Sequence, residues 1–183
     1  MELDEKSRTL SPLPEVLSKG LIAVSALGLL SFVASTTLFL YLTWRLITWR
    51  WKSGFSQPTN QFLILIYSLL FADIQQAMAF MLNLDSLKHN SIRVGTTTCW
   101  AQGWFVSTGD LASSIMITAI GIHTFLGVVK GYRPSSKIFW SSLTGCWVFV
   151  YLLGALGPLI HGEDFFVRAG AWVSLPLPSH FQH

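Results

Sequence analysis

Between Gly20 and Trp44 the chain carries no Asp, Glu, Lys or Arg, and the same holds from Ile138 to Gly162. Two further stretches hold one charge each: Asp73 within Ser53 to Leu84, and Asp110 within Val94 to Val129. A hydrocarbon core about 30 Å thick is crossed by roughly 20 apolar residues rising about 1.5 Å apiece in a helix. Four such runs in 183 residues predict four membrane crossings. Barrel strands would show alternation over about ten residues between turn signals, and these runs are continuous, so the crossings are α-helices. The expected fold is an all-α integral membrane bundle with helices over about 20–44, 60–84, 96–129 and 138–160. Composition agrees: 11% of residues are charged, against about 25% in soluble domains. The first run exceeds the apolar region of a cleavable signal peptide, about 7 to 15 residues, and follows a leader of mixed charge.

The connecting segments alternate in character. Arg45, Arg50 and Lys52 lie between runs one and two, and Lys130, Arg133 and Lys137 between runs three and four, with no acid in either. On the opposite side Asp85, Lys88 and Arg93 mix signs, as do the leader (1–19) and the segment after Gly162. Lys and Arg number six on each side once the leader is included, but the two loops that carry them without acids mark the cytosolic side, so the N-terminus is expected outside. Trp44, Trp49 and Trp51 near one boundary, Trp100 and Trp104 near the other, and Trp140 at the start of run four fit interfacial anchors; packing or lipid-facing aromatics would fit equally well.

Chemistry inside the bilayer falls to the embedded polar groups. An ionisable residue at a helix centre costs about 2.5–3.5 kcal/mol on insertion scales and persists where something compensates. In run two, Asp73, Gln76, Phe80 and Asn83 recur at helical spacing, which places three polar groups on one face. In run three, Gly103, Ser107, Asp110, Ser114, Thr118 and Gly121 recur in steps of three and four, a stripe that lets helices approach and hydrogen-bond. Run three is therefore expected at the centre of the bundle, and it is long enough to tilt or to project beyond the core. Two readings stay open for the carboxylates. Each is either an interior group that specifies helix packing, with Asp110, Ser107, Ser114, Gln76 and Asn83 as packing or ligand-pocket residues, or, at Asp73, a site for a sodium ion or a proton.

Enzyme chemistry finds no footing. Ser113 and Ser114 sit mid-membrane while His123 and His161 lie near opposite faces, so no Ser–His pair shares a depth, and two embedded carboxylates do not make a di-metal site. No phosphate-cradling loop is present, and the net charge of +3 reflects the cytosolic loops rather than a nucleic-acid face. Neither a cofactor nor a nucleic-acid partner is expected. The partners expected are membrane lipid, a small extracellular ligand and a cytosolic protein.

Several short stretches carry a family likeness. Arg45 to Trp51, Asn60-Gln-Phe-Leu-Ile-Leu-Ile-Tyr-Ser-Leu-Leu-Phe-Ala-Asp73, Thr98-Cys99-Trp100-Ala-Gln-Gly103, Ile122-His123-Thr124-Phe125 and Gly131-Tyr132-Arg133-Pro134, in this order, resemble the N-terminal half of fungal G-protein-coupled receptors of the glucose-sensing and cAMP-receptor-like group. The likeness covers roughly 20–172, four of that family's seven helices. It implies sensing of a nutrient such as glucose, or of a cAMP-like signal, coupled to the α subunit of a heterotrimeric G protein. Leu70-Phe71-Ala72-Asp73 matches the family's second-helix motif, whose Asp couples to sodium or to helix rearrangement. Trp147 and Pro158 match fourth-helix positions, and Arg45, Arg50, Lys52, Lys130, Arg133 and Lys137 match the cytosolic coupling loops.

Cys99 matches the cysteine that the family ties by a disulfide to the second outer loop. Cys146 lies inside run four, at another depth, so a bridge between the two is not expected. His123-Thr124-Phe125 stands where rhodopsin-like receptors carry Asp-Arg-Tyr. The likeness stops at Trp172, and Val173-Ser174 can be encoded by a splice-donor sequence, so 163–183 is expected to be an outer segment followed by a tail outside the family pattern, in a truncated receptor chain. The reading that competes with a receptor is a small four-span membrane scaffold or assembly partner, in which the polar stripes are helix glue.

Overall fold

The computed structural model describes residues 11, 13–53, 60–92, 96–161, 167–169 and 172–174. Helix α1 runs Glu15–Ser53, α2 Gln61–Met81, the short α3 Asn83–Lys88, α4 Thr97–Val129 and α5 Ser136–His161. A two-stranded antiparallel pair, β1 (Val167–Ala169) and β2 (Trp172–Ser174), follows α5. Among the described residues four helical stretches, with α2 and α3 counted as one, are long and apolar enough to cross a membrane. The chain is an all-α, multi-pass membrane bundle. Its surface agrees: Leu27, Leu30, Leu40, Leu159 and Ile160 are each 60% exposed or more, a disposition that suits lipid and not water. The expected leader lies mostly outside the described residues, as do the tail from 175 onward and Arg93.

Helix boundaries follow local chemistry. Asn60, two residues after Pro58, caps α2 by accepting the Phe62 N–H at 3.1 Å, and Thr96 caps α4 by accepting the Cys99 N–H at 3.2 Å. Such caps satisfy N–H groups that the first turn leaves without a helical acceptor. Helix α4 ends on Lys130, after which Gly131 takes φ +62° and the Tyr132 N–H turns back to the Leu126 carbonyl at 3.0 Å. Only a residue lacking Cβ adopts that angle freely.

Helix α1 corrects one expectation. It begins at Glu15 and ends at Ser53, so Arg45, Arg50 and Lys52 lie on helix rather than in a loop. Polar residues end a membrane crossing but not a helix, and neither Gly nor Pro appears between Trp44 and Ser53. Arg50 and Lys52 in the last turn also complement the negative end of the helix dipole. The second crossing is longer than expected as well: α3 continues to Lys88 after an interruption at Leu82. At 1.5 Å per residue, the 33 residues of α4 span about 50 Å, which exceeds the core as anticipated.

Helix α2 packs between α1 and α4, and α5 packs on α4. Small residues bring the backbones together. Ala72 of α2, Ala112 of α4 and Val150 of α5 are fully buried against one another. A Cβ built on Gly109 would stand 2.9 Å from the Gln76 nitrogen, and one on Gly28 of α1 would stand 2.7 Å from Phe80 Cβ. Glycine there permits helix contact that no other residue allows. Toward the α2 N-terminus, Ile64, Leu65, Met116, Phe139 and Leu143 form a larger apolar cluster. At the opposite end, Leu13 and Leu21 pack with Ile92 and Cys99, and the Leu13 N–H donates to the Asn90 carbonyl at 3.3 Å.

Aromatic rings link the four helices. Phe39 of α1 stacks on Tyr67 of α2 at 4.2 Å, Phe71 of α2 meets Trp147 of α5 edge-on at 5.3 Å, and Trp147 stacks on Tyr151. Tyr151 then stacks on Trp104 of α4, which also stacks on Trp100. Trp104 is therefore a packing residue, whereas Trp44, Trp51 and Trp140 stay at least half exposed, as anchors would.

Candidate functional site

Polar groups of α2, and Asn83 at the start of α3, meet those of α4 in a ladder that descends the interface. Near the end that carries α3, the Gln102 Nε2 amide donates to Asn83 Oδ1 at 2.7 Å, and both side chains are buried. Two turns on, Gln76 Nε2 donates to Asp110 Oδ1 at 2.6 Å. Next comes Ser113, whose hydroxyl donates to Asp73 Oδ1 at 3.3 Å. Asp73, Gln76 and Asn83 thus share one face as their spacing predicts, and each touches α4. Lateral to the ladder, the buried Gln75 accepts from the Tyr151 hydroxyl of α5 at 3.4 Å. Gln75 Nε2 and Asn83 Nδ2 are buried without an acceptor, so the ladder retains unused donor capacity.

The stripe expected on α4 divides. Gly103 is buried and Ser107 half-buried, but Asp110, Ser114, Thr118 and Gly121 are exposed. Ser114 and Thr118 turn their hydroxyls back to the carbonyls of Asp110 and Ser114, both at 2.8 Å. The closely packed face is instead Gly109, Ala112 and Met116, one position round the helix and equally regular in spacing. Asp110 joins the two surfaces, one oxygen on Gln76 and the side chain reaching the open face. Spacing alone missed Gln75, Gln102, Ser113 and Gly109 as interface residues. The signal available for the two glutamines was their rarity as polar groups in apolar runs.

Asp73 and Ser113 supply two adjacent oxygens at mid-membrane. Among the described residues no group of three or more His, Cys, Asp or Glu gathers in a way that could hold a metal ion. The cysteines stand apart, Cys99 buried near the start of α4 and Cys146 half-buried within α5, with no disulfide between them.

At the far end of the ladder the C-termini of α1 and α4 and the N-termini of α2 and α5 surround an open cavity of about 1080 Å³. Its polar wall carries Arg45 and Trp49 from α1, His123 from α4, and Tyr132 and Arg133 from the segment joining α4 to α5. Leu42, Leu46 and Leu63 add apolar lining. Gln61, at the start of α2, donates to the Pro134 carbonyl at 3.0 Å and holds the Arg133 segment against α2. His123 also packs edge-on against Phe139 at 6.1 Å. Of the basic residues at this end, Arg45 and Arg133 line the cavity; Arg50, Lys52, Lys130 and Lys137 lie outside its lining.

No family model matches this chain, and no curated protein matches it. Geometry and residue chemistry therefore carry the functional argument.

Proposed function

We propose that this chain acts as a receptor-type membrane protein, oriented with its N-terminus outside and in the plasma membrane. In this reading a small extracellular ligand, glucose or a cAMP-like molecule, biases the packing of α2 against α4. The bias is read at the opposite end by a heterotrimeric G protein α subunit through Arg45, Arg50, Lys52, Lys130, Arg133 and Lys137. One observation carries the reading. The helices joined by the ladder from Asn83–Gln102 to Asp73–Ser113 also supply walls of the cavity at the basic end. A ligand acts only as far as it binds two arrangements differently, and exchange of a few hydrogen-bonded contacts along one interface offers such a pair. Asp73, with Ser113 beside it, is the position where a sodium ion or a proton would bias the equilibrium.

The test is nucleotide exchange on a G protein heterotrimer by the reconstituted full chain, with glucose and cAMP as probes. Ligand-stimulated exchange that Asp73→Asn reduces while insertion is preserved supports the reading. Absence of stimulated exchange with either probe overturns it.

A second reading has its own observation. Asp110, Ser114, Thr118 and Gly121 form an open polar face on α4, and in a bilayer such a face is satisfied by further helices rather than by lipid. A four-span assembly partner would use it as its docking seam. The two readings separate on ligand-dependent signalling, which a scaffold lacks.

A further inference from the structure

The cavity at the basic end, whose Arg45 and Arg133 the receptor reading gives to coupling, has a lining that suits a ligand of its own. Its lining is amphipathic, with Leu42, Leu46 and Leu63 beside Arg45 and Arg133. The two guanidiniums arise on different walls, one from α1 and one from the α4–α5 segment held by Gln61. Among the described residues no carboxylate pairs with them: Asp73 and Asp110 lie about three turns up α2 and α4 from the cavity lining. Trp49 and Tyr132, part apolar and part polar, also line it, and side chains of this kind favour the membrane interface.

We infer that this cavity binds the headgroup of a multiply phosphorylated anionic phospholipid of the cytosolic leaflet, a phosphoinositide, through Arg45 and Arg133. A guanidinium offers a planar fork that pairs with phosphate in two parallel hydrogen bonds. Two forks on separate walls match a headgroup bearing more than one phosphate better than the single phosphate of an ordinary phospholipid. The Tyr132 hydroxyl and the His123 ring add hydrogen-bonding groups beside them. The apolar wall takes the glycerol and the first acyl carbons, which a soluble inositol phosphate lacks, and basic pockets between helices on the cytosolic side are suited to such headgroups. The inference rests on the orientation proposed above and not on receptor activity.

The test uses the full chain in phosphatidylcholine nanodiscs with a fluorescent short-chain phosphatidylinositol bisphosphate as probe. Unlabelled phosphatidylserine and soluble inositol trisphosphate serve as competitors. The inference predicts saturable binding that phosphatidylserine displaces poorly, and that inositol trisphosphate displaces less well than the unlabelled lipid. Arg45→Ala with Arg133→Ala lowers affinity roughly tenfold or more beyond the loss caused by Lys52→Ala with Lys137→Ala, because only the arginines line the cavity and bonds to charged groups are the strong ones. Arg45→Lys with Arg133→Lys keeps the charge and loses the fork, so it falls between the two and guards against misfolding of the alanine pair. Equal losses from the arginine and lysine pairs overturn the site in favour of diffuse surface charge. Displacement by inositol trisphosphate as effective as by the lipid overturns the lipid in favour of a soluble phosphate.

Discussion

Replacing Gly109 with alanine tests the packing on which the polar ladder depends. The added Cβ would stand 2.9 Å from the Gln76 nitrogen and 3.0 Å from its Cα, so it meets the backbone of α2 rather than a side chain able to swing away. Ordinary carbon contacts lie at about 3.5–4.0 Å, so α2 and α4 must part by roughly 0.5–1 Å. The Ser113–Asp73 bond, already 3.3 Å long, then leaves hydrogen-bonding range, and the Gln76–Asp110 bond stretches from 2.6 Å. Overpacking of this kind costs about 1–3 kcal/mol, and an interhelical hydrogen bond in a membrane about 0.6 kcal/mol on average. The expected loss is therefore about 1.5–3.5 kcal/mol.

Gly121→Ala provides the reference, because nothing lies within 4 Å of its Cβ position on the same helix. Both substitutions gain the same helix propensity, about 0.5–1 kcal/mol, so their difference isolates the clash. Unfolding of the full chain by increasing sodium dodecyl sulfate in mixed micelles, followed by helical circular dichroism, measures it. Gly109→Ala should unfold well before the wild type, and Gly121→Ala no earlier than the wild type. Equal midpoints for the two alanine variants would refute the close α2–α4 contact.

Further consequences follow from the same interface. A double-mutant cycle of Gln76→Ala and Asp110→Ala should give a coupling of about 0.6–1.7 kcal/mol in the same unfolding assay, and a coupling near zero would remove that rung. Asn83→Leu should destabilise by about 1–3 kcal/mol, because Gln102, 3% exposed, is left without its 2.7 Å acceptor; Asn83→Leu combined with Gln102→Leu should recover part of the loss, and an undiminished loss would contradict the pairing. Gly154→Val on α5 should destabilise at least as much as Gly109→Ala, because its Cβ position already stands 2.6 Å from the Thr108 side chain; wild-type unfolding of this variant would displace α5 from the packing described.

The crossings were legible because lipid makes a strict demand: a run without charge, long enough for the core, has few other fates. The start of α2 at Asn60 and of α4 at Thr96 was legible too, since each combines a capping side chain with the onset of an apolar run. The end of α1 was not, because Arg45 and Lys52 mark where the membrane stops and say nothing about whether the helix does. Helical spacing correctly put Asp73, Gln76 and Asn83 on one face, and it could not say which neighbour that face meets. On α4 two regular stripes lie side by side, one polar through Asp110, Ser114 and Thr118 and one apolar through Gly109, Ala112 and Met116. Only the tertiary contacts show that the apolar stripe packs and that most of the polar one stays open. Gln75 and Gln102 carried a weak signal, since a single amide in an apolar run has value only once its partner is known. The cavity at the basic end gathers residues from four separate segments, and no local pattern encodes such an assembly.

The chain's own lysines offer the most direct test of the four crossings and their orientation. Lys19 and Lys88 lie at one end of the bundle and Lys52, Lys130 and Lys137 at the other, and all are exposed. A membrane-impermeant amine reagent applied to intact cells, followed by peptide mass spectrometry, should label Lys19 and Lys88 and should reach Lys52, Lys130 and Lys137 only after permeabilisation. Labelling of the second set alone would reverse the orientation, and labelling drawn from both sets in sealed cells would contradict the four-crossing bundle itself.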